Sequence, residues 1–295
     1  MFNNPTEGWL ISDSQIIYAV KGYHASQLGY YVVPKYLKGN CSKIDRCPPE
    51  LQFYDPKLGR RTCILPFSLV HEKYNPYTPS STLLLEGTNL LRPYIVFLNN
   101  LSDVALIGIT GSSRIGCAGQ ESDLDLLFFP LKNPIDTYNR LISLRHEGIT
   151  SFCPLQLVKK NYNEKLRGTL PLQFYIELSR LKVLEGCIDG VPYSARILWP
   201  PSDLCQGPCY PVSSMHYRGI LRRGGYHFTT PALYTLDKEN MIMLSWRIRY
   251  SELPDGYYEI VGELYHDDAG NTILVPDHGG FVRPLNDKSW NIGSR

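Results

Sequence analysis

The chain reads as an α+β protein in which a central block of mixed sheet and helices lies between N- and C-terminal β-rich domains. Three observations predict this. Residues 8–38 alternate apolar and polar side chains in WLISDSQIIYAVKGY and LGYYVVPKYL. The middle third replaces that alternation with short apolar runs and helix-period stretches, and five more short apolar runs recur at near-regular spacing after Trp199. Alternation marks half-buried strands, and a 3.6-residue period marks helices packed by one face. The expected divisions are a small β module over residues 1–75, an α/β block over 83–200, and an antiparallel barrel or sandwich over 210–295.

Within the first division, Gly22, Gly29 and Pro34 punctuate two or three strands, and NPYTPSS at 75–81 is a loop. In the second, residues 83–99 suit a helix. VALIGI (104–109) is a buried strand that runs into a small-residue turn at 110–113, and residues 124–129 form a second buried strand. Pro134 opens a helix whose apolar face is Ile135, Tyr138, Leu141, Ile142 and Leu144. Phe174, Leu178, Leu181 and Leu184 place another over residues 172–185, stopped by Gly186, and VPYSARILW is a strand. In the third division, GG, PDG and DDAGN turns separate MHYRGIL, YHFTTPALYTL, MIMLSWRIRY, YYEIVGELYHDD and TILVPD.

With 295 residues, 43% hydrophobic and 20% charged, the chain can bury a sizeable core. Its longest apolar runs stop well short of the ~20 residues that span a bilayer. The N-terminus lacks the basic and apolar regions of a secretion signal, so a cytoplasmic protein with no membrane partner is expected. A net charge of +2 does not predict nucleic-acid binding by the whole chain. Low methionine (4) with 22 prolines fits a heat-adapted host. The eight cysteines form no CxxC pair. The spacings of Cys41 with Cys47 and of Cys205 with Cys209 are looser than zinc ribbons use, so small buried hydrophobes are expected, with one or two disulfides if the source is a hyperthermophile.

The informative stretch is VALIGITGSSRIGCAGQESDLDLLFFP, residues 104–130. Gly111 and Ser112 follow a strand. Glycine permits close backbone approach, and a serine hydroxyl with adjacent amides can hold phosphate oxygens. A helix-sized gap then leads to Asp123 and Asp125 at the start of the next strand. Carboxylates at i and i+2 of a strand project to one face, and a pair of hard oxygen ligands suits Mg²⁺ bridging a triphosphate. Ser113 and Arg114 adjoin the turn. Arg114 has the reach for a γ-phosphate, and the alternative is a solvent-facing arginine at a helix start.

In this order, Gly111, Ser112, Asp123 and Asp125 resemble the signature of the nucleotidyltransferase superfamily that includes DNA polymerase beta, poly(A) polymerases and minimal nucleotidyltransferases. AVKGYHASQLGYYVVPKYL near the start and HFTTPALY near the end resemble a group of archaeal predicted nucleotidyltransferases. The resemblance implies a polymerase-beta-like central domain. It implies that Asp123 and Asp125 hold Mg²⁺ (or Mn²⁺), and that Gly111 and Ser112 position an NTP. A nucleoside monophosphate would then pass to a hydroxyl acceptor, RNA or a small molecule, with pyrophosphate released. The superfamily usually adds a third carboxylate on a later strand. Here VPYSARILW carries Arg196, with Glu185, Asp189 and Asp203 outside the strand. A chain that had lost catalysis would remain a nucleotide- or RNA-binding scaffold.

Other clusters are weaker. Glu121 and Ser122 shape the turn into the acidic strand, Glu121 also being a candidate to support a metal ligand, and Lys159, Lys160, Lys165 and Arg167 read as a solvated face ahead of a patch that steers a polyanion. HYRGILRRGGYH (216–227) and WRIRY (246–250) interleave rings and cations in a way that suits either RNA or ordinary barrel strands. No HExxH, GxSxG or Walker pattern is present, which leaves zinc hydrolase, serine hydrolase and P-loop chemistry without a motif.

Overall fold

A computed structural model of the chain describes residues 4–44, 46–55, 60–78, 81–165, 170–200, 210–266 and 270–285. The structure is mixed α+β with several sheets, one of them a small barrel. It divides into two compact units, residues 1–128 and 129–295.

The first unit begins with β1 (Leu10–Ser12), β2 (Ile16–Val20), β3 (Gly29–Leu37), β4 (Gln52–Asp55), β5 (Arg60–Pro66) and β6 (Glu72–Tyr74). They form an antiparallel sheet in the order β4-β5-β3-β2-β1-β6. The Asp13 carboxylate closes the β1–β2 turn by accepting from the amides of Gln15 and Ile16, both at 2.7 Å. Both faces of β1 and β2 are buried. Trp9, Ile11, Tyr18 and Val20 fill one side, and Leu10, Ile17, Ala19 and Tyr36 fill the other. A disulfide from Cys47 to Cys63 on β5 pins the loop that precedes β4.

The same unit continues with α1 (Ser81–Leu85), α2 (Leu91–Leu101), β7 (Ala105–Ile109), α3 (Gly111–Arg114) and β8 (Leu124–Pro130), the last running past the boundary between units. The single helix expected over 83–99 is two. Gly87 takes a φ of 75°, and the Thr88 hydroxyl donates to the Leu85 carbonyl at 2.7 Å, ending α1 before α2 starts. Helix α2 buries Tyr94, Phe97 and Leu101, with the Phe97 ring 5.7 Å from that of Phe128.

The second unit starts with α4 (Pro134–His146), capped by the Asn133 side chain, which accepts from the Ile135 amide at 2.9 Å. Its buried face is Tyr138, Leu141 and Leu144, as expected, while Ile135 is 40% exposed. Helix α5 (Leu155–Lys165) carries only a thin apolar stripe, Leu155, Val158 and Tyr162, in the otherwise polar LQLVKKNYNEK. Helix α6 (Leu172–Leu181) ends four residues before the expected position, and Glu185–Ile188 is strand β9. The cause is tertiary. Lys182, fully buried, leaves the helix to donate to the Ile248 carbonyl at 2.7 Å and to Glu185 at 2.8 Å. Strand β9 pairs antiparallel with β10 (Val191–Leu198) around Asp189 and Gly190, whose φ values of 51° and 81° suit a two-residue hairpin turn.

The remaining strands are β11 (Tyr210–Arg223), β12 (Thr229–Thr230), β13 (Ala232–Leu236), β14 (Met241–Ser245), β15 (Gly256–His266), β16 (Thr272–Val275) and β17 (Phe281–Pro284). β12 pairs in parallel with β10. The order β11-β13-β14-β16-β15 closes by pairing β15 with β11, so this part is a barrel, with β17 added on β15. One pair, β14 with β16, is parallel. WRIRY leaves the barrel after Ser245, and Ile248–Tyr250 is a 3₁₀ turn. Phe174 and Leu178 of α6 share a core with Tyr217, Tyr234, Tyr258 and Ile260 of the barrel. Among the described residues no helix is long and apolar enough to cross a membrane.

One buried carboxylate organises this second unit. Glu252, 1% exposed, accepts from the Tyr138 hydroxyl at 3.0 Å and from the amides of Val183 and Leu184 at 2.9 and 3.2 Å. Replacing Glu252 by Ala strands three buried donors. We predict a loss of about 3 kcal/mol in urea unfolding, against under about 0.5 kcal/mol for the exposed Glu147→Ala.

Candidate functional site

Strands β7 and β8 are neighbours in one sheet and carry the two halves of the Gly-Ser/Asp-x-Asp motif. The Thr110 amide donates to the Asp125 carbonyl at 3.0 Å, so the chain leaves β7 level with the second residue of β8. The Thr110 hydroxyl donates to the Gly8 carbonyl at 2.7 Å, which fastens the turn to the segment entering β1. Gly8 in turn lies on Leu127 of β8: a Cβ at position 8 would come within 2.5 Å of the Leu127 Cδ1.

Gly111 follows with a φ of 64°, where an L side chain is strained. A Cβ built there would overlap Asp125 Oδ2 and lie 3.1 Å from Asp125 Cγ. The backbone at 111 therefore rests directly against the Asp125 carboxylate. Asp123 stands just before β8 and Asp125 is its second residue. Both are half-buried, while Leu124 and Leu126 turn to the opposite face and are buried.

The Ser112 carbonyl accepts from the amides of Ile115 at 3.3 Å and Cys117 at 2.8 Å, so α3 is a single turn and the chain folds back. The helix-sized gap before the acidic strand is thus one turn plus a loop. That loop is held covalently, because Cys117 is disulfide-bonded to Cys41 in the segment after β3. Ile115 packs with Leu10, Ile17, Ala19 and Tyr36 on the N-terminal sheet.

Tyr36 is the residue that sequence reasoning missed. It is 9% exposed, and its phenol stands beside the Ser112 side chain. Burial, then the charges of Asp125 and Asp123, push its pKa up, while the Ser112 side chain pulls it down. One signal was present, since Tyr36 lies in one of the two stretches that carry the archaeal resemblance, but 21 tyrosines hid it.

The other sequence-predicted residues lie around the same turn. The Arg114 guanidinium donates from Nε to the Asn75 carbonyl at 2.8 Å and from an Nη to the Thr78 hydroxyl at 3.2 Å, bracing the loop ahead of α1. Burial depresses its pKa. Ser113 is 1% exposed, and its hydroxyl has no hydrogen-bond partner. The Ser122 hydroxyl accepts from the Gly119 amide at 2.8 Å and shapes the entry to β8, and Glu121 is exposed.

In the second unit, Arg196 lies on the half-exposed face of β10, opposite Tyr193, Ala195 and Ile197. Glu185 is paired with Lys182, Asp189 sits exposed at the hairpin tip, and Asp203 lies outside the described residues. Three basic residues of the barrel strands have internal partners: His216 and Arg218 both reach Glu259 at 2.7 Å, and Arg223 donates to the Leu253 carbonyl at 3.1 Å. Arg247 donates to the Asp277 carbonyl at 3.0 Å. Lys159 and Lys160 are exposed on α5, which also carries Lys165, while Arg167, Cys205 and Cys209 lie outside the described residues. Among the described residues no group of three or more His, Cys, Asp or Glu side chains is placed to hold a metal ion. The chain matches no protein-family model, no curated protein and no solved structure.

Two outcomes are expected from this geometry. Gly111→Ala should destabilise the chain by about 1 kcal/mol or more beyond Gly116→Ala, read as the difference in thermal unfolding. Gly116 shares the left-handed backbone, with a φ of 69°, but a Cβ there would meet nothing within 4 Å, so the difference isolates the clash with Asp125. The Tyr36 phenol should ionise at lower pH in Asp123→Asn/Asp125→Asn than in the native chain, because neutral amides no longer oppose the phenolate. Tyrosine ¹³Cζ NMR, with Tyr36→Phe for assignment, checks it.

Proposed function

We propose that the chain is a Mg²⁺-dependent nucleotidyltransferase of the polymerase-beta kind, acting at the Gly111–Asp125 site. The observation that carries this reading is the direct approach of the Gly111 backbone to the Asp125 carboxylate, with Ser112 and Asp123 beside it. That approach brings the turn proposed to bind phosphate within a few ångströms of carboxylate oxygens suited to a hard cation.

The residues fit the metal. Mg²⁺ is commonly held by one or two carboxylates together with substrate phosphates and water, and half-buried Asp123 and Asp125 offer such a pair. When bound, Mg²⁺ or Mn²⁺ supplies electrostatic stabilisation of the triphosphate and of the developing charge. The chain's own groups do the rest. The missing side chain at Gly111 lets the Asp125 carboxylate lie against the turn, and the Ser112 hydroxyl, beside Tyr36, would donate to phosphate oxygens. The acceptor hydroxyl loses its proton as its oxygen bonds to the α-phosphorus, the α–β bridge breaks, and pyrophosphate leaves. The acceptor is RNA or a small hydroxyl compound.

A second reading, a nucleotide- or RNA-binding scaffold without catalysis, is favoured by one observation: β10 carries Arg196 where the resemblance implies an acid. Incubation with α-labelled NTPs, Mg²⁺ or Mn²⁺ and a mixed acceptor pool separates the two. Native protein should transfer label. Asp123→Asn/Asp125→Asn protein, or chelator, should reduce it by about a hundredfold or more. Size and nuclease sensitivity of the product tell RNA from a small acceptor. Nucleotide binding without transfer would support the scaffold, and no nucleotide binding would overturn both readings.

A further inference from the structure

In the second unit, residue 151 and strand β9 are joined by an isolated antiparallel bridge. The Ser151 amide donates to the Cys187 carbonyl at 2.8 Å, and the Cys187 amide donates back at 2.9 Å. Two residues further on, Cys153 returns to the same strand, and its Sγ lies 2.8 Å from that of Cys187. Both thiols are free, in contrast to the linked pairs Cys41–Cys117 and Cys47–Cys63. Unbonded carbon atoms already rest about 3.5–4.0 Å apart, and sulfur is larger, so 2.8 Å lies between a contact and the roughly 2.05 Å of a bond. The backbone bridge holds the two sulfurs within reach of bonding with little rearrangement.

A fixed cation stands beside them. The Arg145 guanidinium lies 4.7 Å over the Phe152 ring. It donates to the Thr150 hydroxyl at 3.0 Å, the Tyr193 hydroxyl at 3.1 Å and the Glu185 carbonyl at 3.2 Å. It fits because position 186 is glycine, where a Cβ would come 2.5 Å from an Arg145 Nη. Its other Nη is buried without a hydrogen-bond partner.

We propose that Cys153 and Cys187 form a reversible dithiol–disulfide pair that exchanges with small disulfides of the glutathione class and closes a cross-link besides Cys41–Cys117 and Cys47–Cys63. Cys153 is half-exposed and Cys187 buried, which sets the order of events. Cys153 Sγ attacks one sulfur of the small disulfide as its proton passes through solvent to the departing small thiolate. A mixed disulfide forms and one small thiol leaves. Cys187 then loses its proton and attacks Cys153 Sγ, and the second small thiol leaves. The pair gives up two electrons, and the small disulfide is reduced to two thiols.

Arg145 bears on the balance between the two states. The Cys153 thiol, donating to Cys187, holds the Cys187 thiol below its ordinary range, and Arg145 acts in the same direction against burial. A cation that favours the thiolate stabilises the reduced form and makes the pair easier to reduce. Cys153–Cys187 should therefore open under milder reducing conditions than Cys47–Cys63.

The full-length chain, equilibrated in glutathione buffers of graded ratio, acid-quenched, alkylated and peptide-mapped, tests this. The Cys153 and Cys187 peptides should pass together from alkylated to linked at a single midpoint, while Cys47–Cys63 stays linked. Arg145→Met should shift that midpoint about tenfold in glutathione ratio toward the disulfide, and Arg145→Lys should restore most of it. If Arg145→Met fails to fold, the native titration still decides. Three results would overturn the proposal: both thiols alkylated wherever Cys47–Cys63 is linked, glutathione accumulating on Cys153 without an internal link, or a link that persists after Cys47–Cys63 has opened.

Discussion

Gly111 lies against the Asp125 carboxylate, and that approach determines where the other groups of the first unit's site can stand. The Thr110 amide bonded to the Asp125 carbonyl sets the level at which the turn leaves β7. A slip of one residue in β8 would exchange the Asp123/Asp125 face for that of Leu124 and Leu126, burying charge and exposing core. The left-handed backbone at 111 then turns the chain sharply enough for Ser112 to meet Tyr36. A larger residue at 111 would push the carboxylate away and disturb each of these relations.

The energetics of the acid pair explain why its surroundings are polar and only half closed. Two carboxylates at strand spacing, about 6–7 Å apart, repel by about 2–3 kcal/mol at an effective dielectric of 20. Full burial would add a desolvation penalty that hydrogen bonds alone rarely offset. Half-exposure lets water share the charge, and a hard cation would remove the repulsion altogether. The neighbouring phenol is suited to the same arrangement. Its raised pKa favours the neutral phenol, so Tyr36 adds no third charge beside the two anions.

Much of this was legible in the sequence. Alternation marked the N-terminal sheet, Pro134 marked the start of α4, and turn signals marked the strands of the barrel. What escaped was set by partners distant in sequence. Leu184 keeps the helical spacing of Phe174 and Leu178, yet it lies past the end of α6 because Lys182 and Glu252 draw the chain out of the helix. The polar surface of LQLVKKNYNEK hid α5, which is held by Val158 in the core and by Tyr162 donating to the Leu170 carbonyl. In the site, the order Gly-Ser then Asp-x-Asp was readable because its members lie within 15 residues of one another. Tyr36 and Cys41 were not readable as site residues, since nothing local marks a strand residue that meets a turn some 75 positions later.

That distance is also why the Cys41–Cys117 link matters. Few apolar contacts hold α3 onto the sheet, with Ile115 the main one, and a single-turn helix has little stability of its own. Cross-linking residues 76 apart removes about 4–5 kcal/mol of chain entropy from the unfolded state on the loop-closure model, against about 3 kcal/mol for the 16-residue Cys47–Cys63 loop. The longer-range of these two links thus falls on the loop that follows a single-turn helix. The Thr110–Gly8 hydrogen bond and the seating of Gly8 on Leu127 act across the same junction. The N-terminal sheet is therefore part of the wall of the Gly-Ser/Asp-x-Asp site, since it supplies the phenol, one end of the covalent link and the surface on which the turn is laid.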